Sequence, residues 1–556
     1  MKRFFAAFLS MLLLLSCAAC SDNPTPSVKK HKPFESPTES ESTEPVDPPE
    51  DIEPDKPDVP VALKIKDHDI SDAELTYFYV DVISQWYNAY GAYAAYFGLD
   101  VGKGLDSQIY DPDKGLSWAD YFMDLAIKNA QNTYALCDAA EADGFTLSDE
   151  QYAQMDKLYD ELEADAKAKK QSVTEFLQDV YGEFADESSY KQYYEATVLA
   201  SFYYNHYSEA LKESYTAEQL RAFEGEESYK YDSYSYAYYY LDLRHFAMGG
   251  TTNSNGQLVY SEEELNAAKA YLENVKNTLS SSDINTVEQL NAAIVKVENQ
   301  LEADKRNYGM QSQPDPNLSP KATENHKVLY PKVSTLIQEW MRDSSRKSGD
   351  ITAMADETTS KDTNGNDVKT LKGYYIVLFL QRHDNNHPLA NVRHILAAFE
   401  GGTYNSTTGT TTYSDAEKKA AKEKADKLLA EWKSGDATEA SFAEMANKHS
   451  ADGDGTTGGL YENVYPGQMV VNFNDWCFDE SRKPGDTGIV ESVYGYHVMY
   501  YVGDSDENYR DYMVTNDLLS KDMTEWQEGL ISGATVEEKD LDRIDKDLVL
   551  KDGSLA

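Results

Sequence analysis

The feature that most constrains this chain is a repeat within itself. Trp340-Met341-Arg342-Asp343-Ser344-Ser345-Arg346-Lys347-Ser348-Gly349-Asp350 aligns without gaps to Trp476 through Asp486, with seven identities in eleven. A self-match of that density means that one folding unit occurs twice. Tyr260-Ser261 with Glu264, Ala267, Ala268 and Lys269 matches Tyr413-Ser414 with Glu417, Ala420, Ala421 and Lys422. Arg244-His245-Phe246 matches Arg393-His394-Ile395, and Gly373-Tyr374-Tyr375 matches Gly495-Tyr496-His497. The copies span 229–384 and 386–503. Just before His245, the residues Tyr234, Tyr236, Tyr238 and Tyr240 alternate at the period of a strand. The first copy carries extra residues between Asp350 and Gly373, and Asn364-Gly365 among them signals an added hairpin.

The second copy holds an ordered series of motifs. Val392-Arg393-His394-Ile395-Leu396 reads as a strand. Phe442-Ala443-Glu444-Met445-Ala446 falls in a helical pattern. Ser450-Ala451-Asp452, Gly458-Gly459, Gly467-Gln468-Met469 with Phe473, and Gly495-Tyr496-His497 follow within about 115 residues. This series resembles the parvulin family of peptidyl-prolyl cis/trans isomerases. The resemblance implies an antiparallel sheet with surrounding helices. It makes His394 and His497 paired core imidazoles and puts Asp452 where the family has Asp or Cys. A small shift places Asp454 there instead. Met469 and Phe473 would line the proline pocket, with Tyr461 and Tyr496 beside it. The family's usual G-G-D-L-G stands here as Gly458-Gly459-Leu460-Tyr461-Glu462, and Tyr494 precedes Gly495 where many members have Phe or Ser.

The implied chemistry is compatible with these residue types. Rotation about a peptide bond faces a barrier of roughly 18–20 kcal/mol. X-Pro bonds are the ones that commonly populate cis, and unaided they interconvert slowly. Lowering the barrier takes an apolar pocket and polar groups that favour the twisted amide over the planar one. Neither cofactor, metal nor covalent intermediate is expected. The first copy has Tyr375 in place of the second histidine and lacks the S-x-D, G-G and G-Q-M elements. It reads as the same fold without a catalytic site.

Residues 1–20 form a targeting segment. Lys2 and Arg3 precede an apolar run from Phe4 to Leu15, too short to span a bilayer comfortably. The run ends in Ser16-Cys17-Ala18-Ala19-Cys20, which resembles a bacterial lipobox with either Cys17 or Cys20 as the lipidated residue; an ordinary cleaved signal is the alternative. Ten of the 18 prolines fall between Pro24 and Pro60, in an acidic linker over 21–60. Such a segment buries too little apolar surface to offset its ordering entropy. Beyond the signal only Cys137 and Cys477 remain, which is no disulfide framework, and no metal-ligand spacing occurs.

Residues 61–228 begin with a strand, Val61-Ala62-Leu63-Lys64-Ile65. Amphipathic helical patterns follow over 73–97, 117–143, 148–168, 172–181, 187–213 and 216–223. Ser71 and Glu74 stand at capping-box spacing at the first of them. A strand and helices ahead of a parvulin resemble the chaperone domain of extracytoplasmic foldases of the PrsA and SurA type. The aromatic stripe from Tyr77 to Tyr96 fits either a core or a client cradle. A last helix over 507–531 opens the C-terminal segment, 504–556, and its apolar stripe needs a partner surface.

The fold class is therefore multidomain α+β: a helical domain and two parvulin-like domains, the first degenerate. A net charge of −46 argues against binding nucleic acid. The expected partners are unfolded or folding secreted polypeptides, with the membrane reached through the N-terminal lipid. A holdase or peptide-binding lipoprotein that uses parvulin folds as scaffolds is the second reading. A two-lobed solute binder would show alternating strands and helices, and that pattern is absent.

Overall fold

The computed structural model describes residues 60–255, 258–310, 320–361, 366–405, 410–453 and 455–547. Cys17, Cys20, Asp454, the Asn364-Gly365 turn and all but the last residue of the linker lie outside them. The chain divides into two units, Met1–Tyr215 with Asp517–Ala556, and Thr216–Asn516.

The first unit opens on β1 (Val61–Ile65) and β2 (His68–Ser71), which pair antiparallel. Helices α1 (Asp72–Tyr90), α2 (Trp118–Ala142), α3 (Asp149–Ala168), α4 (Val173–Tyr181) and α5 (Glu187–Ser214) follow. Their starts are written locally. Ser117, Ser148, Ser172 and Asp186 each accept from the N–H three residues on and close a reciprocal capping box. At α1, Ser71 accepts from the Glu74 N–H. The first helical pattern, read as running to 97, leaves the α form at Tyr90, and Gly91–Phe97 continues as a 3-10 helix closed by Gly98.

The aromatic stripe divides between inside and outside. Tyr77, Phe78 and Tyr79 are core, joined by Tyr193 and Trp118. Their hydroxyls find partners, as most buried polar groups do: Tyr77 bonds Ser189 at 2.8 Å, Tyr79 donates to the Lys546 carbonyl at 2.7 Å, and Tyr193 donates to Asp81. Burial pushes the Asp81 carboxyl up to about 7. The C-terminal segment joins this unit from Asp517 onward: the Trp526 ring stacks on Tyr207 at 4.0 Å, and Val536–Glu538 pairs with β1.

The second unit holds both copies of the repeat. The first comprises β3 (Ser233–Asp242), α7 (Glu262–Leu279), α8 (Val287–Tyr308), β4 (Thr323–Leu329), α9 (Thr335–Met341), β5 (Ile351–Lys361) and β6 (Asp367–His383), after a short α6 (Ala217–Glu224). The second comprises β7 (Pro388–Ala398), α10 (Asp415–Ser434), α11 (Glu439–His449), β8 (Leu460–Val464), α12 (Val471–Cys477), β9 (Thr487–Glu491) and β10 (Gly495–Asn508). Their sheets have the same antiparallel order, β4-β3-β6-β5 and β8-β7-β10-β9.

The repeat holds at the level of single bonds. Arg346 lies over the Trp340 ring at 4.2 Å and Arg482 over Trp476 at 4.0 Å. Each donates from Nε to that tryptophan's carbonyl, at 3.2 and 3.1 Å. The Gly349 and Gly485 N–H groups donate to Phe379 and Tyr501 carbonyls at 2.9 and 2.8 Å. Asp350 from Gly373 is a gap of 22 residues, against 8 between Asp486 and Gly495. The excess extends β5 and β6, which pair as far out as Lys361 with Asp367.

The two-residue period of the strands sorts each sheet into two cores. In the first copy Ile376 and Leu378 pack with Leu272, Ile294 and Leu301 of α7 and α8, while Val377 and Phe379 pack with Ile337 and Met341 of α9. In the second, Ile395 and Val498 pack with Leu428, Trp432 and Phe442, while Val392 and Met499 pack with Phe473 and Cys477.

Register corrects one sequence match. His394 stands opposite Met499, and the corresponding pair in the first copy is Tyr238 opposite Val377. His245 follows β3 rather than lying in it, and its Nε2 meets Glu298 Oε2 at 2.8 Å. A three-residue match with two identities misled because strand register is a pairing property that short local matches do not carry.

Arg510 ties the chain ends of this unit together. It donates to Glu224 at 2.6 Å, Asp232 at 2.8 Å, and the carbonyls of Asp384 and Ser228 at 2.7 and 2.6 Å. Asp232 is buried and is also paired with Arg382. Removing one partner of a buried ion pair strands the other. Arg510→Ala is expected to cost about 3 kcal/mol, read as a lower urea midpoint for the second unit. Arg510→Lys should recover only part of it, because a lysine cannot fork across these acceptors.

Candidate active site

The site is built on the two central strands of the second copy. His394 on β7 and His497 on β10 sit one diagonal step apart on the same face of the sheet. Both are buried, and their Nδ1 atoms lie 3.1 Å apart. The Phe473 ring of α12 stands edge-on to both, at 5.3 and 5.4 Å between centroids. Met469 packs at the edge of the same apolar cluster.

Polar groups close both ends of the imidazole pair. Asp452 Oδ2 lies 3.2 Å from His394 Nε2 and accepts from the Tyr461 hydroxyl at 3.1 Å. The Tyr461 ring also lies 5.0 Å from that of His394. At the far end, the Ser492 hydroxyl meets His497 Nε2 at 2.8 Å. The loop that brings Asp452 in is held by Ser450, whose hydroxyl accepts from the N–H groups of Leu396 at 3.1 Å and Asp452 at 3.2 Å. Gly459 is required beside it. Its φ is +64°, and a Cβ there would meet the His394 carbonyl oxygen at 2.2 Å.

The electrostatics give the chain of bonds a direction. The hydrogen bond from His394 lowers the Asp452 carboxyl to about 2, against the opposing effect of burial. Burial first, and the neighbouring His394 second, pushes His497 down to about 4. An ionised Asp452 only accepts, so His394 Nε2 donates to it. His497 is uncharged at neutral pH and carries one proton. Placed on Nδ1, that proton is donated to His394 Nδ1, and Nε2 accepts from Ser492. Every contact is then filled in one direction, from Ser492 through His497 and His394 to Asp452.

Residues 374–503 match the family model described as PPIC-type PPIASE domain. The chain carries a parvulin-type peptidyl-prolyl isomerase domain. Over 110 residues it is 29% identical to Foldase protein PrsA 1 of Listeria innocua, a match covering 18% of this chain and 37% of that protein. It is 28% identical to Foldase protein PrsA 1 of Listeria monocytogenes, with the same coverage of 18% and 37%. The chain thus spans little more than a third of the length of these curated relatives. The structure of a peptidylprolyl isomerase (PrsA) from Bacillus cereus aligns at 16% identity with a TM-score of 0.19, covering 55% of this chain and 99% of that one. That of the Bacillus anthracis protein aligns at 14% and 0.18, covering 48% and 94%.

Within the parvulin domain the structure brings together His394, His497, Asp452, Tyr461, Phe473 and Met469. It does not bring Tyr496 to them. The strand period turns that side chain to the other face, where it packs on Phe399 and donates to Glu491 at 3.0 Å. Ser492 was missed by the sequence reading. The one available signal was a serine opening the turn into the Gly495 strand. Among the described residues no group of three or more His, Cys, Asp or Glu is arranged to hold a metal ion. Cys477 is buried beneath Phe473, and burial pushes its thiol up to about 12.

The first copy has tyrosines at both imidazole positions. The Tyr238 and Tyr375 rings lie 5.9 Å apart, where those of His394 and His497 lie 5.2 Å apart. Tyr240, packed on Tyr375, donates to Asp356 at 2.9 Å.

The His497 ring should titrate near pH 4, measured by NMR of histidine-labelled protein with a His497→Gln variant for assignment. An unfolded histidine takes up its proton near 6.5. Between pH 6.5 and 4 the unfolded chain therefore binds a proton that the folded chain refuses. Stability contributed by this group is present above that interval and lost as pH falls through it. The stability–pH slope over that interval should be shallower in His497→Gln.

Proposed function

We propose that this chain is a membrane-anchored extracytoplasmic foldase whose second copy catalyses cis/trans isomerisation of X-Pro bonds in secreted polypeptides. The observation that carries the reading is the buried imidazole pair, Nδ1 to Nδ1 at 3.1 Å, inside a segment matching a PPIC-type domain. The mechanism is non-covalent. The proline ring packs against Phe473 and Met469. As the amide twists it loses resonance, and its nitrogen and carbonyl become separate polar groups. A dry, preorganised set of donors and acceptors favours that state over the planar one without reorganising. With an uncharged His497 and an ionised Asp452, the network supplies fixed dipoles rather than a nucleophile. His394, His497 and Asp452 are the residues proposed for this work, with Tyr461 as part of the pocket wall.

Anchoring through Cys17 or Cys20 and the acidic linker supports a location on the outer face of a bacterial membrane. No helix of the described residues is long and apolar enough to cross one. The clients would be chains that fold after export, and the first unit would hold them.

One observation favours a second reading for part of the molecule. Tyrosines replace both imidazoles of the first copy, which suits a peptide-binding or spacing role without catalysis. Extended to the whole chain, that reading is a holdase. Exchange NMR on short X-Pro peptides separates the two. The protein should accelerate exchange, and His394→Ala and His497→Ala should each lower kcat/KM at least tenfold, about 1.4 kcal/mol. No acceleration by folded protein, across several residues before proline, leaves the holdase.

A further inference from the structure

Tyr90, Tyr93 and Tyr96 recur at a spacing of three, and Gly91–Phe97 is a 3-10 helix. With three residues per turn, side chains at i and i+3 stand one above the other. Tyr93 and Tyr96 therefore stand one above the other, and Phe97 joins Tyr96 at 5.5 Å to Tyr90 at 5.7 Å, at the end of the preceding α-helix. Tyr90, Tyr93 and Tyr96 are 48, 66 and 87% exposed, and Phe97 beside them is 48% exposed.

The row is backed by the core of the first unit. Phe97 meets Tyr90 at 5.7 Å and Trp86 at 6.0 Å, both edge-on. Trp86 meets the buried Trp118 at 5.1 Å, and Tyr110, also exposed, lies 4.9 Å from Trp118. The rings thus run continuously from buried to open. Leu99 tucks in behind Gly98 and bonds the Ala94 carbonyl at 3.0 Å, which holds the short helix in place. Clustered aromatic rings left in water mark an interaction site.

The surroundings are acidic. Between 98 and 125 stand Asp100, Asp106, Asp111, Asp113, Asp120 and Asp124, against Lys103 and Lys114. Those two lysines pair with Asp100 at 3.0 Å and Asp111 at 3.3 Å, and Lys546 and Lys128 lie 3.8 and 2.6 Å from Asp120 and Asp124, so the acidic excess rests on Asp106 and Asp113. Asp547 adds a carboxylate that accepts from the Leu105 N–H at 2.7 Å.

We propose that the Tyr90, Tyr93, Tyr96 and Phe97 row is a docking surface for extended, cationic segments of non-native polypeptide. Lys and Arg side chains lie across the phenol faces with their charges toward the aspartates, and apolar neighbours cover the exposed rings. Tyrosine suits this, because it offers large contact area at low entropic cost and a polar tip. The inference rests on the reading of the chain as a foldase and adds a second, non-catalytic client site of stated chemistry.

The test uses the full chain and a fluorescent, proline-free peptide of Arg, Lys, Leu and Ser, with a twin carrying Glu in place of Arg and Lys. Binding is followed by anisotropy. The cationic peptide should bind at least tenfold more tightly than its twin and weaken with salt. Tyr93→Ser/Tyr96→Ser should weaken it at least tenfold, and Asp106→Asn/Asp113→Asn a few-fold. Both variants should isomerise a short X-Pro peptide as the parent does, and His497→Ala should bind the proline-free peptide unchanged. Undiminished binding by the tyrosine variant, or no preference between the two peptides, overturns the proposal. Aromatic-dependent binding without isomerisation by the parent would instead refute the catalytic reading and leave the docking surface standing.

Discussion

The second copy depends on one register, that of β7 against β10. With His394 opposite Met499 and His497 opposite Leu396, both imidazoles fall on the face covered by α12. A slip of one residue would exchange the faces. If β7 slipped, His394 would enter the core formed by Leu428, Trp432 and Phe442, Ile395 would take its place beside Phe473, and the imidazole pair would be split between the two faces. The Arg482 clamp on Trp476, and the bond from the Gly485 N–H to the Tyr501 carbonyl, pin the neighbouring segment to β10 and so hold α12 over the pair.

The first copy keeps that scaffold and changes the chemistry. Its clamp, sheet order and two-sided core are the same, yet tyrosines stand at both imidazole positions. A phenol donates and accepts through a single oxygen, so it cannot join partners at two separate edges of its ring as an imidazole does. The polar groups at Tyr240 and Asp356 form an isolated pair instead. The two copies thus share their packing and differ at the imidazole positions.

Charge acts on two scales in this chain. A net charge of −46 is carried mostly at the surface, where it keeps chains apart. At the site and in the cores, single carboxylates are used one at a time. Asp452 is kept ionised by a donor, Asp81 is pushed up by burial and bonded to a tyrosine, and Asp232 is matched by two arginines.

The sequence by itself determined what depends on neighbours in the chain. Helix starts at Ser71, Ser117, Ser148 and Ser172 were legible because a cap and its partner lie three residues apart. The repeat was legible because identity at Trp, Arg, Gly and Asp marks one local bond pattern. The pairing of the two histidines was legible from an ordered motif, which left Asp452 and Asp454 open. Tertiary structure alone decided what depends on partners far along the chain. Register put Tyr238, not His245, at the imidazole position. Ser492 became a partner of His497 only when the turn brought its hydroxyl to Nε2. Tyr496 was turned away by the pleat. Arg510 gained its role from acceptors at Ser228, Glu224, Asp232 and Asp384, more than a hundred residues upstream. Local patterns encode the backbone that each segment prefers, but a site is an intersection of segments, and only packing fixes where they cross.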